Sequence, residues 1–439
     1  MKNGTLSGPQ WLVLSFLSVI VLGSILLQTP WAIQSGSGSY IDSLFVATSA
    51  VCVTGLVTVD TGTHWTVFGQ LVIMLLIQIG GLGVMSFATF FALIVGKKIQ
   101  LRQRLVMQQS INISAVGGVV RVFKHLLLFT FLIEALGAIM LIIRWIPTLG
   151  LKKAIYFGIF HSISAFNNAG FDLFGGFKSL TEYSSDITVN LVISTLIISG
   201  GLGFYVWYEI FNYRKSRSFS LHSKVVLITT AILLLTGTGF LFFGEYNHAL
   251  KGMSPGVKLL ASYFQSVSPR TAGFNTIDLN SLFLSSQLLI IILMLIGASP
   301  GSTGGGIKTS TLAILWVAII SQLKGKKDSE LFERRIEDKD VLQALTLAAL
   351  FTATFIIMTF LVSLSYRGEL SKIAFEVASA LGTVGLSLGL TPELNTTAKV
   401  LIIITMFLGR VGPLTLGFAL AYQAKQPEIR YPKGKIMIG

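Results

Sequence analysis

Thr383-Val384-Gly385-Leu386 has three relatives in the same chain: Val53-Thr54-Gly55-Leu56, Asn168-Ala169-Gly170-Phe171 and Thr271-Ala272-Gly273-Phe274. From Gly55 to Gly170 is 115 residues, from Gly170 to Gly273 is 103, and from Gly273 to Gly385 is 112. A quarter of the 439-residue chain is about 110, so the period fills the protein. Ten residues before each glycine stands an aromatic: Phe45, Phe160, Tyr263 and Phe375. Four copies of one short loop predict one structure built from four parts, with repeats at 1–98, 99–218, 219–325 and 326–439.

The composition sets the solvent of those parts. Apolar residues make up 52% of the chain, charged residues 12%, and the mean hydropathy is +0.75, far from the roughly 25% charge of a soluble domain. An all-α polytopic membrane protein follows. Eight low-charge apolar segments approach the roughly 20 residues needed to cross a bilayer: 11–27, 69–95, 124–146, 187–212, 224–244, 284–322, 341–366 and 398–422. The sixth is too long for one straight span and is interrupted at 298–306. Each repeat thus holds two spans and, between them, a shorter stretch at 40–52, 153–167, 255–270 or 370–382. Those lengths fit re-entrant helices. The first segment has a lone Lys2 before it and a poor cleavage site at Gln28-Thr29-Pro30-Trp31, so it reads as a retained helix.

Basic residues orient the chain. Residues 93–124 carry six Lys and Arg and no acid, and 213–224 carry four and no acid; these inter-repeat loops are expected to be cytoplasmic, with both termini. The formal charge of +14 is then mostly topology, and basic residues scattered over short loops argue against nucleic-acid binding. Acids such as Asp172 and Asp278, just beyond two of the loop glycines, fall on the opposite side, where they would concentrate cations. The single cysteine, Cys52, excludes an intrachain disulfide and suits a small residue packed behind the first loop.

The loops suggest their own chemistry. A dehydrated monovalent cation needs a cage of oxygens, which backbone carbonyls supply if successive residues turn them toward one axis. Glycine tolerates the dihedrals this demands and leaves the axis open. Thr383-Val384-Gly385 matches the Thr-Val-Gly of potassium-channel filters, and the other three loops are relaxed versions. The helix before each loop would aim its partially negative C-terminus at the ion path.

The broken sixth segment reads Ala298-Ser299-Pro300-Gly301-Ser302-Thr303-Gly304-Gly305-Gly306-Ile307-Lys308-Thr309. Proline and four glycines within seven residues cannot sustain a helix. Its likeness to a phosphate-binding loop fails, because Ile307 separates Gly306 from Lys308 and no strand precedes it. An unwound segment at membrane depth is tolerated only where it lines a cavity, which makes it a candidate gate, with Gly301, Gly304, Gly305, Gly306 and Lys308. Arg410 lies mid-segment in the last span, where a cation costs at least ~2.5 kcal/mol unless it meets water or a partner; Glu134 is the available carboxylate. The glycine clusters 80–83 and 200–203 are expected to serve close helix packing.

Four tandem helix, pore-loop, helix units with one glycine per loop resemble the superfamily of Trk, Ktr and HKT potassium transporters, closest to the bacterial Ktr membrane subunit, over essentially the whole chain. The resemblance implies that Val53, Thr54, Gly55, Asn168, Ala169, Gly170, Thr271, Ala272, Gly273, Thr383, Val384 and Gly385 form the selectivity filter. It also implies that the repeat-three loop is the gate and that Arg410 faces the permeation path below the filter. Glycine at position 55 implies potassium, since serine there accompanies sodium transport in the family. Asn168-Ala169 departs furthest from Thr-Val, so strict fourfold symmetry is not expected. The resemblance further implies potassium as the transported substrate with no cofactor in this chain, sodium as an activator, a homodimer in the plasma membrane, and a cytosolic ring of RCK-type nucleotide-binding subunits. A secondary carrier for a small organic solute is the competing class, and two inverted repeats would be its signature. An enzyme is not expected.

Overall fold

A computed structural model describes residues 8–34, 38–83, 119–413, 415 and 417. Its longer helices are α1 (Gly8–Leu27), α2 (Tyr40–Val51), α3 (Val67–Leu82), α4 (Val119–Leu149), α5 (Leu151–Phe166), α6 (Ile187–Gly201), α7 (Phe204–Ser216), α8 (Leu221–Glu245), α9 (Pro255–Val267), α10 (Leu284–Leu295), α11 (Thr309–Leu323), α12 (Asp338–Ser365), α13 (Leu370–Gly382) and α14 (Thr396–Val411). A two-stranded antiparallel hairpin, Glu330–Leu331 with Arg334–Arg335, lies between α11 and α12.

Helices in α1, α4, α8 and α12 are long and apolar enough to cross a membrane. They are also poorly covered: between 22% and 39% of each apolar window is buried. Leu22, Leu128, Leu235 and Leu364 stand exposed on them. In water such faces would aggregate, whereas in lipid they are solvated.

The shorter helices fill the inside. α2 packs on α1 and α3, α5 on α4 and α6, α9 on α8, and α13 on α12 and α14. Between neighbouring units the pattern repeats and closes: α3 packs on α5, α6 on α9, α10 on α13, and α14 returns to α2. The aromatics ten residues before the glycines anchor this interior, with Phe45, Phe160 and Phe375 fully buried, each contributing about 1.5–3 kcal/mol. Tyr263 is half-buried. Helix starts are set by ordinary caps. Asp186 accepts from Val189 N (3.1 Å) and Asn395 from Ala398 N (2.8 Å), each satisfying a donor that the first turn leaves free.

Two of the expected spans are corrected. Residues 187–212 are not one helix: α6 and α7 meet at 97°, because Gly203 adopts a φ of 91° and Phe204 N donates to Gly301 O (3.0 Å) across the gap. The helix within 69–95 ends at Leu82, where Gly83 turns to a φ of 83°; residues 84–118, with most of the basic loop 93–124, lie outside the described residues. So do most of the last segment beyond Val411 and the C-terminal tail. The sixth segment breaks as expected, with α10 ending at Leu295 and α11 starting at Thr309.

Candidate functional site: a ring of four loops above an unwound segment

The C-termini of α2, α5, α9 and α13 run directly into the four glycine loops, and all four loops share one backbone signature. Val53, Asn168, Thr271 and Thr383 have φ of 51°, 56°, 77° and 51°, and the glycines two positions on have 92°, 69°, 81° and 96°. The residue between them is not left-handed. A strand would point successive carbonyls to opposite sides; alternating the hand of φ keeps them turned the same way. Three of the first positions are β-branched residues in the left-handed region, an arrangement that costs of order 1–3 kcal/mol each and persists only where surrounding structure enforces it.

The enforcement comes from serines at the ends of the short helices. Ser49 Oγ accepts from Gly55 N (3.0 Å) and Ser379 Oγ from Gly385 N (3.0 Å). Ser164 Oγ donates to Phe171 O (2.8 Å), and Ser268 Oγ donates to Phe274 O. The backbone oxygens of Ser49, Ser164 and Ser379 each accept from the middle residue of their loop at 2.8 Å. Sequence reasoning missed these residues, although serine stands six positions before three of the glycines and five before the fourth.

The loops meet in a ring. A Cβ on Gly55 would run into Ala169 O, one on Gly170 into Ala272 O, one on Gly273 into Val384 O, and one on Gly385 into Thr54 O. Each glycine therefore lies against the middle carbonyl of the next loop, and the fourth closes on the first. All twelve residues from Val53 to Gly385 expected at this site are brought together. Asn168, the least Thr-like of them, has its own fit: its oxygen accepts from Thr271 Oγ1 (2.9 Å) while its nitrogen donates to Ala165 O and Ile197 O (both 3.1 Å). Asparagine also visits the left-handed region more readily than threonine.

Outside the ring, glycines let the following helices come close. A Cβ on Gly80 would collide with Val51 O, one on Gly200 with Phe166 O, and one on Gly409 with Leu381 O, each carbonyl four residues before a ring glycine. The packing role read from clusters 80–83 and 200–203 is thus observed. In the third unit no straight helix takes that place.

Residues 296–308 take it instead. Gly297 N donates to Ile307 O (2.9 Å) and Ile307 N to Leu295 O (3.0 Å), folding the segment into a tight excursion. It is tied to the second unit by Ser299 N to Gly201 O (3.0 Å) and Thr303 N to Gly200 O (3.2 Å). Gly305 N reaches Thr383 Oγ1 (3.1 Å), and Gly304 lies against Thr271. The segment therefore abuts the first residues of two ring loops. Its outward carbonyls are held by two cations: Arg410 donates to Thr303 O, and Lys308 Nζ to Gly304 O (2.7 Å), with Gly305 O at 3.4 Å. Arg410 also donates to Gly80 O at the end of α3.

Glu134 is not the partner of Arg410. It accepts from Gln78 Nε2 (3.1 and 3.2 Å) and from Asn167 Nδ2 (2.9 Å), in a buried cluster behind the second loop. Cys52 is fully buried at the end of α2, and His161 Nδ1 is 2.7 Å from Phe157 O within an aromatic cluster. Asp172, on the loop leaving the ring, accepts from Phe174 N (3.0 Å); burial, opposed by this hydrogen bond and reinforced by Asp60, pushes its carboxyl up to about 7.

Lipid-facing helices around a closed ring of backbone carbonyls define an integral membrane protein with a polar centre. The family described as TrkH, Cation transport protein, matches residues 8–429, and the chain belongs to it. Among its relatives, the Ktr system potassium uptake protein B of Bacillus subtilis is 43% identical over 435 residues, covering 98% of this chain and 96% of that protein. The potassium/sodium uptake protein NtpJ of Enterococcus hirae is 41% identical, covering 99% and 98%. The fold is shared with the crystal structure of the potassium transporter TrkH from Vibrio parahaemolyticus, at a TM-score of 0.76 and 18% identity over 96% of this chain and 86% of that one.

Proposed function

We propose that the chain carries potassium into the cell across the plasma membrane, through one pore lined by the four-loop ring. The observation that carries this reading is the ring itself: four loops of matching dihedrals, each glycine against the carbonyl of the next. In this reading the ring is the selectivity filter, made by residues 53–55, 168–170, 271–273 and 383–385. The units at 1–98, 99–218, 219–325 and 326–439 each supply two spans and a re-entrant helix, and both termini face the cytoplasm. The cyclic packing of α3, α6, α10 and α14 supports this arrangement around one axis over the two inverted halves of a solute carrier.

The segment 296–308 is the gate. It touches Thr271 and Thr383 on the ring, and its carbonyls at 303–305 would face the ion path were they not capped by Arg410 and Lys308. Moving it aside requires breaking those caps. Regulation then falls to other chains: a homodimer of this subunit and a cytosolic RCK-type nucleotide-binding ring on the basic loops. Sodium acts as activator. Expression in cells lacking potassium uptake, with rubidium influx measured with and without sodium, tests the reading. Growth rescue at low potassium is expected, with stronger influx when sodium is present. Failure of the correctly inserted chain to restore influx would refute it.

A further inference from the structure

Two adjoining cavities lie away from the ring, where the α7–α8 turn meets the hairpin of residues 330–335. The first, of ≈ 930 Å³, is lined in part by Tyr208, Phe219, Lys224, Phe332, Arg334 and Arg335. The second, of ≈ 380 Å³, is a groove between α8 and α11 walled by Ile228, Ile232, Leu312, Trp316 and again Phe332. Phe332 lines both, at the tip of the hairpin with a φ of 49°, so a basic pocket and an apolar trough lie on either side of one side chain.

The charges in the pocket are unequally committed. Glu209 is occupied, its Oε2 accepting from both Ser220 N and Ser220 Oγ at 3.0 Å. Arg335 is paired with Asp328 (3.0 Å). Lys224 and Arg334 have no ion pair among the described residues, and Lys224 Nζ lies 6.0 Å from the Phe332 ring. Two uncommitted cations at the head of a trough lined by Ile, Leu and Trp have the polarity of an anionic lipid, phosphate at one end and hydrocarbon at the other. A zwitterionic headgroup would bring a cation of its own against Lys224 and Arg334.

We infer that the paired cavity binds one anionic glycerophospholipid, its phosphate against Lys224 and Arg334 and an acyl chain along α8 and α11 beneath Phe332. The site bears on transport through its wall: α11 begins at Thr309, immediately after the 296–308 segment, so a chain wedged against Trp316 braces the helix from which that segment hangs. The inference requires that these residues face lipid and does not depend on which cation the ring selects.

Trp316 is 63% exposed and reports on the groove. The full-length chain is reconstituted in phosphatidylcholine vesicles doped with brominated-chain phosphatidylglycerol or brominated-chain phosphatidylcholine, and the Trp316 signal is taken as the difference from Trp316→Phe. Half-maximal quenching is expected at a mole fraction of phosphatidylglycerol about tenfold below that of phosphatidylcholine, each basic residue contributing to the preference. The double variant Lys224→Ala, Arg334→Ala loses that preference while keeping quenching by phosphatidylcholine, which also shows that the groove is still folded. Equal quenching by the two lipids, or a preference that survives the double substitution, overturns the inference. So does absence of quenching by either lipid, which would mean that a second copy covers the groove. Relief of quenching by soluble glycerol 1-phosphate would make the pocket a site for a free anion and overturn it too.

Discussion

Replacing Arg410 by alanine removes a side chain that ties the unwound segment to the end of α3. Its guanidinium donates to Thr303 O on the segment and to Gly80 O on α3, with Gly81 O at 3.5 Å. A hydrogen bond from a charged donor contributes about 1.5–3 kcal/mol net. Opening the segment must break the Thr303 bond while leaving the Gly80 bond intact, so only the first counts toward the closed state. Its loss raises the open-to-closed ratio by roughly 10- to 150-fold. Where the closed state dominates, potassium flux into vesicles rises by the same factor until the ring becomes limiting. Arg410→Lys separates two physical roles, because lysine keeps the charge but is a point donor that does not span two carbonyls as a planar fork does. A bridging role predicts high flux in both variants; a purely electrostatic barrier predicts that lysine behaves like the parent. Unchanged or lower flux in Arg410→Ala, in protein whose Tm stays close to that of the parent, would refute the reasoning.

Three further outcomes follow from the geometry. Gly55→Ser places a Cβ at a φ of 92° against Ala169 O, so the ring must shift; competition between potassium and sodium for uptake should show preference for potassium falling at least about tenfold, ~1.4 kcal/mol. Asp172, with its carboxyl pushed up to about 7 by burial, is charged above that pH and neutral below it; uptake from dilute potassium should therefore fall as external pH drops through 7, and Asp172→Asn should lie low and flat across the range. Glu134→Ala strands the buried amide nitrogen of Gln78, which among the described residues reaches only that carboxylate, while Asn167 keeps Gln78 Oε1 and Ile163 O, at about 1–3 kcal/mol; thermal unfolding in detergent should show a lower Tm, and an unchanged Tm would mean that water satisfies the amide.

The ring was legible because its determinants are local. A glycine every hundred or so residues, an aromatic ten positions earlier and a stretch too short to span are all one-dimensional signals, and the structure unites the residues they mark. The bend between α6 and α7 was not legible in the same way. Gly-Gly-Leu-Gly occurs at both 80–83 and 200–203, and nothing in either copy says that one is followed by a helix turned through 97°. That turn depends on Gly301, a hundred residues downstream, supplying the carbonyl for Phe204 N. The partners of Arg410 were not legible for a related reason. Sequence draws attention to carboxylates as partners for a buried cation, whereas the segment offers backbone carbonyls, which every residue has and no residue type announces.

The asymmetry of the third unit bears directly on the proposed gate. In the other three units a helix glycine, Gly80, Gly200 or Gly409, lets the helix press on the carbonyl that ends the short helix of its own unit. Those contacts are made through helix backbone and cannot be released without moving a whole helix. In the third unit the helix stops at Leu295, and the vacated place is filled by a segment held through individual hydrogen bonds: Ser299 and Thr303 to α6, Gly305 to Thr383, and Arg410 to Thr303. Each of these is worth little beside a packed helix, and they can break while the other three walls stay where they are. In the proposed reading, a single unwound unit is the arrangement that would allow movement beneath the ring without distorting it. If the segment is the gate, straightening it with helix-forming residues would build a fourth rigid wall and hold the path closed or open for good.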